Sequence, residues 1–167
     1  ELFRGLHDRI GTLGDDSPTY YLAAIEQGHA YYGEQLHVMA PDGTVQIAFA
    51  ACDYAEHLTD VPIEGSYSDG TLYRGELLRA NSLARLNIDP QPSTPIARAY
   101  TERFWQEWGY PAHAILLFDV ARGIELVYSI ERAIELLEQD LRGGELRVGH
   151  TPRDGRACGL VEAPRGP

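Results

Sequence analysis

The stretch "AHAILLFDVARGIELVYSIERAIELLEQDLR" at 112–142 decides how this chain is read. Leu116, Val120, Val127, Ile130, Ile134, Leu137 and Leu141 recur at steps near three and four, the spacing that lines one face of an α-helix. Gly143 and Gly144 supply a stop. The stretch therefore predicts one helix of roughly 31 residues, on the order of 46 Å long. Asp119, Arg122 and Glu125 lie three apart along it and share a face. As a surface ladder, such a trio contributes only tenths of a kcal/mol per pair. A functional role for it needs burial, which periodicity does not show.

Working outward, a second helix is predicted over 95–108. Thr94 stands at the cap position and Pro95 suits the first turn. Ile96, Tyr100, Phe104 and Trp108 recur every four residues before Gly109 ends the run. Further upstream the period changes to two: Leu36, Val38 and Ala40, then Pro41-Asp42-Gly43, then Val45, Ile47 and Phe49 predict a β-hairpin in the region 31–50. His37 falls on its solvent side. Residues 1–11 read as the end of a helix, 19–28 as a short helix with a strand left open, and 53–58 as a helical turn. The composition of 60–94 shifts to Gly, Ser, Pro and Asp, and predicts a long irregular loop packed against something else. A terminal strand and turn occupy 157–167. The expectation is an α+β fold, mainly helical, with a long central helix, a helix pair, a β-hairpin and a short strand.

Composition narrows the function. With 167 residues, 44% hydrophobic and 23% charged, the chain suits one cored domain. There are 14 Lys and Arg against 25 Asp and Glu, a formal net charge of -11, and no basic cluster, which argues against nucleic-acid binding. No apolar run reaches the roughly 18–20 residues of a membrane span. Cys52 and Cys158 belong to no Cys-x-x-Cys pair and read as buried free thiols in a reducing, cytoplasmic setting. Glu162 and Arg165 stand three apart across Pro164, whose fixed φ presents them in a pre-organised turn. Taken alone, it could be any tight surface turn.

Several stretches occur together in an order that resembles the large subunit of nickel-iron hydrogenases, in the cytoplasmic bidirectional group coupled to NAD(P) or F420. They are "LYRGELLRANSLARLNI" at 72–88, "TPIA" at 94–97, "PAHAILLFDVARGIELVYSIERAIEL" at 111–136 and "EAPRG" at 162–166, with "YYGEQLHVMAPDGT" at 31–44 also similar. The resemblance implies that 1–167 is a single internal segment of a larger domain in that large-subunit fold. It implies a parent enzyme that oxidises hydrogen reversibly. The implied partners are an iron-sulfur small subunit, together with NAD(P)- or F420-reactive subunits.

On the same resemblance, Glu162, Ala163, Pro164, Arg165 and Gly166 support the metal cavity, and Arg74, Arg85, Arg122 and Glu125 are structural. The nickel-iron centre takes its ligands from Cys-x-x-Cys pairs that this sequence lacks, so no catalytic or metal-ligating residue is expected in it. Asp119 stands where the group often has His, and Gly75-Glu76 also departs from its pattern. Two rival readings are a complex I-like quinone-site subunit, whose turn is similar to "EAPRG", and a helical interaction module.

Overall fold

The computed structural model describes residues 14–29, 31, 33–139, 147, 149, 151–155, 157–163 and 166–167. The helix expected over 1–11, the Gly143-Gly144 stop, and Pro164 and Arg165 lie outside the described residues. The elements run β1 (Tyr20–Ala23), β2 (Gln35–Met39), β3 (Val45–Ala50), α1 (Tyr54–His57), β4 (Leu58–Val61), β5 (Gly70–Tyr73), β6 (Glu76–Arg79), α2 (Ser82–Ile88), α3 (Pro95–Trp108) and α4 (Leu117–Leu137). The class is α+β.

The strands form one six-stranded mixed sheet in the order β3-β2-β1-β6-β5-β4. Four of its five pairings are antiparallel, and β1 runs parallel to β6. The sheet is thus larger than the expected hairpin plus a terminal strand. Its extra strands come from 19–28, read as a short helix with a strand left open, which supplies β1, and from the loop expected over 60–94, which holds β5, β6 and α2. These strands are four residues each, too short for alternation to declare itself. The terminal strand is not seen; the described residues there form an isolated bridge between Ala163 and Gly166.

At the β2–β3 turn the Asp42 carboxylate accepts the Thr44 N–H at 2.9 Å, and Gly43 takes φ 87°, which only glycine adopts freely.

Side chains of β1 alternate across the sheet. Leu22 joins Leu36, Val38, Phe49, Leu58 and Tyr73 in one apolar cluster, against which Leu160 of the terminal segment packs. Tyr21 faces the other way, clustering with Met39 and with Ala84 of α2. A third cluster joins Leu83 and Leu86 of α2 to Ala97 and Phe104 of α3 and to Leu117, Val120, Ala121, Ile124 and Tyr128 of α4. Helix α2 is therefore the piece between sheet and helices. Asn81 starts it, its side-chain oxygen accepting the Leu83 and Ala84 N–H groups at 2.9 and 3.1 Å.

Both predicted helices differ from expectation in facing. On α3, Ala97, Thr101 and Phe104 are buried, while Ile96 and Tyr100 are exposed. On α4, Leu117, Val120, Ala121, Ile124 and Tyr128 turn inward and Ile130, Ile134 and Leu137 are exposed. Two apolar stripes exist on α4, and the core takes the one that meets α2 and α3. Thr94 also does not cap α3 with its side chain; the Ile96 and Ala97 N–H groups donate instead to Glu131 of α4, at 3.0 and 2.9 Å. Cys52 and Cys158, expected as buried free thiols, are exposed and joined as a disulfide with Cα atoms 5.5 Å apart. A pairing across 106 residues cannot be seen by local spacing.

Candidate functional site

Arg85 of α2 is a large polar side chain in the interior, 1% exposed. Its place follows from the helix: Leu83, Ala84 and Leu86 are buried around it, so position 85 is carried inward with them. A buried guanidinium is stable only when its donors are satisfied. Arg85 Nε donates to Glu125 Oε1 at 2.6 Å and Nη2 to Glu125 Oε2 at 2.8 Å, a bidentate pair with the middle of α4. Nη2 also donates to Ser82 Oγ at 3.1 Å. Nη1 donates to Glu162 Oε1 at 2.6 Å and to the Ala163 carbonyl at 2.8 Å.

Each carboxylate has a second partner. Glu162 Oε2 accepts the Ala24 N–H at 2.6 Å, just beyond the end of β1. Glu125 Oε1 lies 3.2 Å from His29 Nε2, and His29 Nδ1 lies 3.2 Å from the Asp89 carbonyl. His29 is fully buried with φ 66°, held there as its own N–H donates to Asp89 Oδ2 at 2.7 Å. The Tyr31 ring closes the cluster, 5.7 Å from the Arg85 guanidinium and edge-on to both His29 and Tyr128.

The charges follow from this geometry. Burial works to raise the pKa of Glu125, but the hydrogen bonds from Arg85 and His29 and the Arg85 charge more than offset it, lowering it from 4.5 to about 2. Burial likewise opposes the charge of Arg85, yet Glu125 and Glu162 hold its pKa above the usual arginine value. Glu162 is raised above 4.5, chiefly by burial and also by the Glu125 charge, with the Ala24 amide and Arg85 pulling only partly back. A carboxylate that stays ionised to about pH 2 exchanges no proton near neutrality, so Glu125 acts as an anchor. Together the two carboxylates and the guanidinium tie α2, α4, the end of β1 and the terminal segment into one knot.

Two open cavities flank the knot and share Tyr31 and Glu162 as walls. One of about 720 Å³ is also lined by Glu34, Cys52, Cys158 and Leu160. The other, about 380 Å³, is lined by Arg85, Arg122, Glu125 and Ser129. The terminal turn packs closely on the sheet side: a Cβ at Gly166 would lie 2.6 Å from that of Ala80.

The structure brings together Arg85, Glu125, Glu162 and Ala163 from the residues singled out in the sequence, with Gly166 beside them on Ala80. The others lie outside the knot, Arg122 on the wall of the smaller cavity. Arg122 pairs with Asp119 at 3.7 Å on the surface, its guanidinium 4.9 Å from the Phe118 ring. The trio on α4 thus divides into an exposed pair and a buried anchor. Arg74, exposed at φ 53° in the β5–β6 turn, stacks on Tyr73. His29, Tyr31 and Ser82 were not anticipated. For His29 no local signal exists, since its partners are 60 and 96 positions away. Ser82 stands in "NSLARLN" at 81–87, where an Asn cap before spaced leucines was a readable helix start.

Comparison with known proteins finds this chain similar to subunits of hydrogenases. No model of a known protein family matches the chain. The chain is 33% identical to a subunit of the vhu F420-non-reducing hydrogenase of Methanococcus voltae, over 95% of its own length and 39% of that protein's. It is 25% identical to an iron-sulfur subunit of the F420-non-reducing hydrogenase of Archaeoglobus profundus, over 99% of this chain and 35% of that one. Among solved structures, a chain of NAD+-reducing [NiFe]-hydrogenase in the H2-reduced state superposes with a TM-score of 0.80 at 27% identity, covering 99% of this chain and 38% of that chain. The chain thus spans well under half the length of these relatives, which are subunits of hydrogenases, oxidoreductases acting on hydrogen.

These findings correct the assignment drawn from the motifs. The Methanococcus relative is named only by its hydrogenase and a letter, the Archaeoglobus relative as an iron-sulfur subunit, and neither name says large subunit. The iron-sulfur designation, expected for the partner, belongs to a relative of this chain itself. We therefore set aside the large-subunit role, the nickel-iron centre assigned to the parent, and partnership with an iron-sulfur small subunit. Neither the helical module nor the quinone-site subunit fits these relatives better. Among the described residues no helix is long and apolar enough to cross a membrane.

Proposed function

We propose that this chain is a non-ligating portion of a hydrogenase subunit, in an oxidoreductase that exchanges electrons with hydrogen in the cytoplasm alongside at least one further hydrogenase subunit. The observation that supports this reading is the similarity to hydrogenase subunits over nearly the whole chain, in sequence and in fold together. Within that enzyme, 1–167 is one segment of a larger domain. Its contribution is positional: Arg85, Glu125 and Glu162 lock the helices to the sheet, Ala163 and Gly166 bridge to one another beside them, and Arg74 and Arg122 steady surface segments.

Iron-sulfur clusters take cysteine thiolates as ligands. Here Cys52 and Cys158 are bonded to each other, and no group of three or more His, Cys, Asp or Glu among the described residues could hold a metal. These residues do not fit a cluster. The test is hydrogen-dependent reduction of a viologen dye by the full-length protein purified with its copurifying subunits. Turnover supports the reading. Its absence in a preparation that is folded and loaded with its metals refutes it.

A further inference from the structure

We propose that Cys52 and Cys158 form a redox-active site whose reduction by a dithiol releases the terminal segment from the Arg85 knot. The inference stands on geometry and does not depend on the hydrogenase reading. Both cysteines are exposed, and both line the open cavity of about 720 Å³, which gives an attacking thiolate a path to either sulfur. Cys52 sits in the short turn Ala51–Asp53 that follows β3, a fixed edge of the sheet. Cys158 sits in irregular chain, so the disulfide holds a segment whose described residues pair with no strand of the sheet.

The consequence of cutting it is specific. Four residues beyond Cys158, Glu162 accepts both the Ala24 N–H and an Arg85 donor, each at 2.6 Å. Between them only Leu160 packs on the sheet cluster. Besides the disulfide, the described residues of the segment are held by Leu160, by the Glu162 contacts with Ala24 and Arg85, by the Ala163 carbonyl on Arg85, and by Gly166 against Ala80. Glu162 also forms a wall shared by both cavities, so its departure would join them.

The step balances as ordinary thiol–disulfide exchange. One thiolate of the dithiol attacks a sulfur and the Cys52–Cys158 bond breaks. The second thiolate resolves the mixed disulfide, and the dithiol leaves oxidised. The protein gains two electrons and two protons as two thiols.

The test uses the full-length protein with its copurifying subunits. Peptide mapping without reductant establishes the Cys52–Cys158 linkage, and hydrogen exchange at the Ala24 amide is followed before and after dithiothreitol. The expected result is a linked peptide and Ala24 exchange that accelerates by about tenfold or more on reduction, as the local open population rises. In Cys52→Ser, exchange is expected to be fast and indifferent to dithiothreitol. An absent linkage, or Ala24 exchange in the wild-type protein that reduction leaves unchanged, overturns the proposal. The wild-type comparison decides the matter even where the variant does not fold.

Discussion

Replacing Arg85 with Leu removes the cation that, among the described residues, two buried carboxylates share. The fall of the Glu125 pKa from 4.5 to about 2 corresponds to about 3 kcal/mol of preference for the ionised carboxylate in the folded site, at about 1.4 kcal/mol per tenfold. Removing one partner of a buried pair costs about 3–5 kcal/mol, because the remaining charge is left without compensation. Arg85→Leu is therefore expected to lower the opening free energy of the α2 and α4 amides by about 3–5 kcal/mol at pH 7, read by native-state hydrogen exchange on the full-length protein.

The pH dependence makes the argument specific. In the wild-type protein the contribution of Glu125 is full above about 4.5 and is lost as the pH falls towards about 2. Glu162 runs the other way: its folded pKa is raised, so its contribution is full below about 4.5 and is lost as the pH rises through the raised value. In the variant both carboxylates lose the Arg85 charge while burial, which raises both, remains, so both pKa values are expected to rise and protonation to relieve part of the loss. The deficit should thus shrink by about 1 kcal/mol or more between pH 7 and pH 4. Arg85→Leu combined with Glu125→Leu should regain part of the loss, since an apolar pair can stand in for a buried ion pair. A deficit under about 1 kcal/mol at pH 7, or one independent of pH, refutes the knot as an anchor.

Glu131→Ala should fray the start of α3, at a cost of about 1 kcal/mol, seen as faster exchange at Ile96 and Ala97 but not at Phe104. Phe104→Ala empties a fully buried position between α3 and α4 and should cost about 3–5 kcal/mol of opening free energy across both helices. Asn87→Ala strands the N–H of Ala112, which donates to Asn87 Oδ1 at 3.0 Å, and removes the donor at 2.9 Å to its carbonyl. A loss of about 1–3 kcal/mol, with the Ala112 amide exchanging faster, is the expected reading.

Local pattern carried a definite share of this structure. The hairpin was legible because alternation persisted through β2 and β3 and a Pro-Asp-Gly turn stood between them. The bounds of α3 were legible because Pro95 and Gly109 act through their own backbone. The facing of α3 and α4 was not, because each carries apolar residues on more than one face and only the neighbour determines which is buried. The four-residue strands were not legible because they are too short for a period to show and because β1 and β6 meet from positions nearly 60 residues apart.

The candidate site divides in the same way. By itself the sequence determined the acidic charge, the hairpin, the bounds of α3 and the middle of α4, and the order of motifs similar to those of hydrogenases, and it singled out Arg85, Glu125 and Glu162 among other residues. It could not assign their partners: Arg122 and Glu125 share one helix and one spacing, yet one is exposed and the other buried. The physical reason is that hydrogen bonds and charges act over a few ångströms in space, and the groups joined to Arg85 lie 40 and 77 positions along the chain. Only the tertiary structure brings those distances to 2.6 Å, and with them the buried charge, the disulfide and the cavities around it.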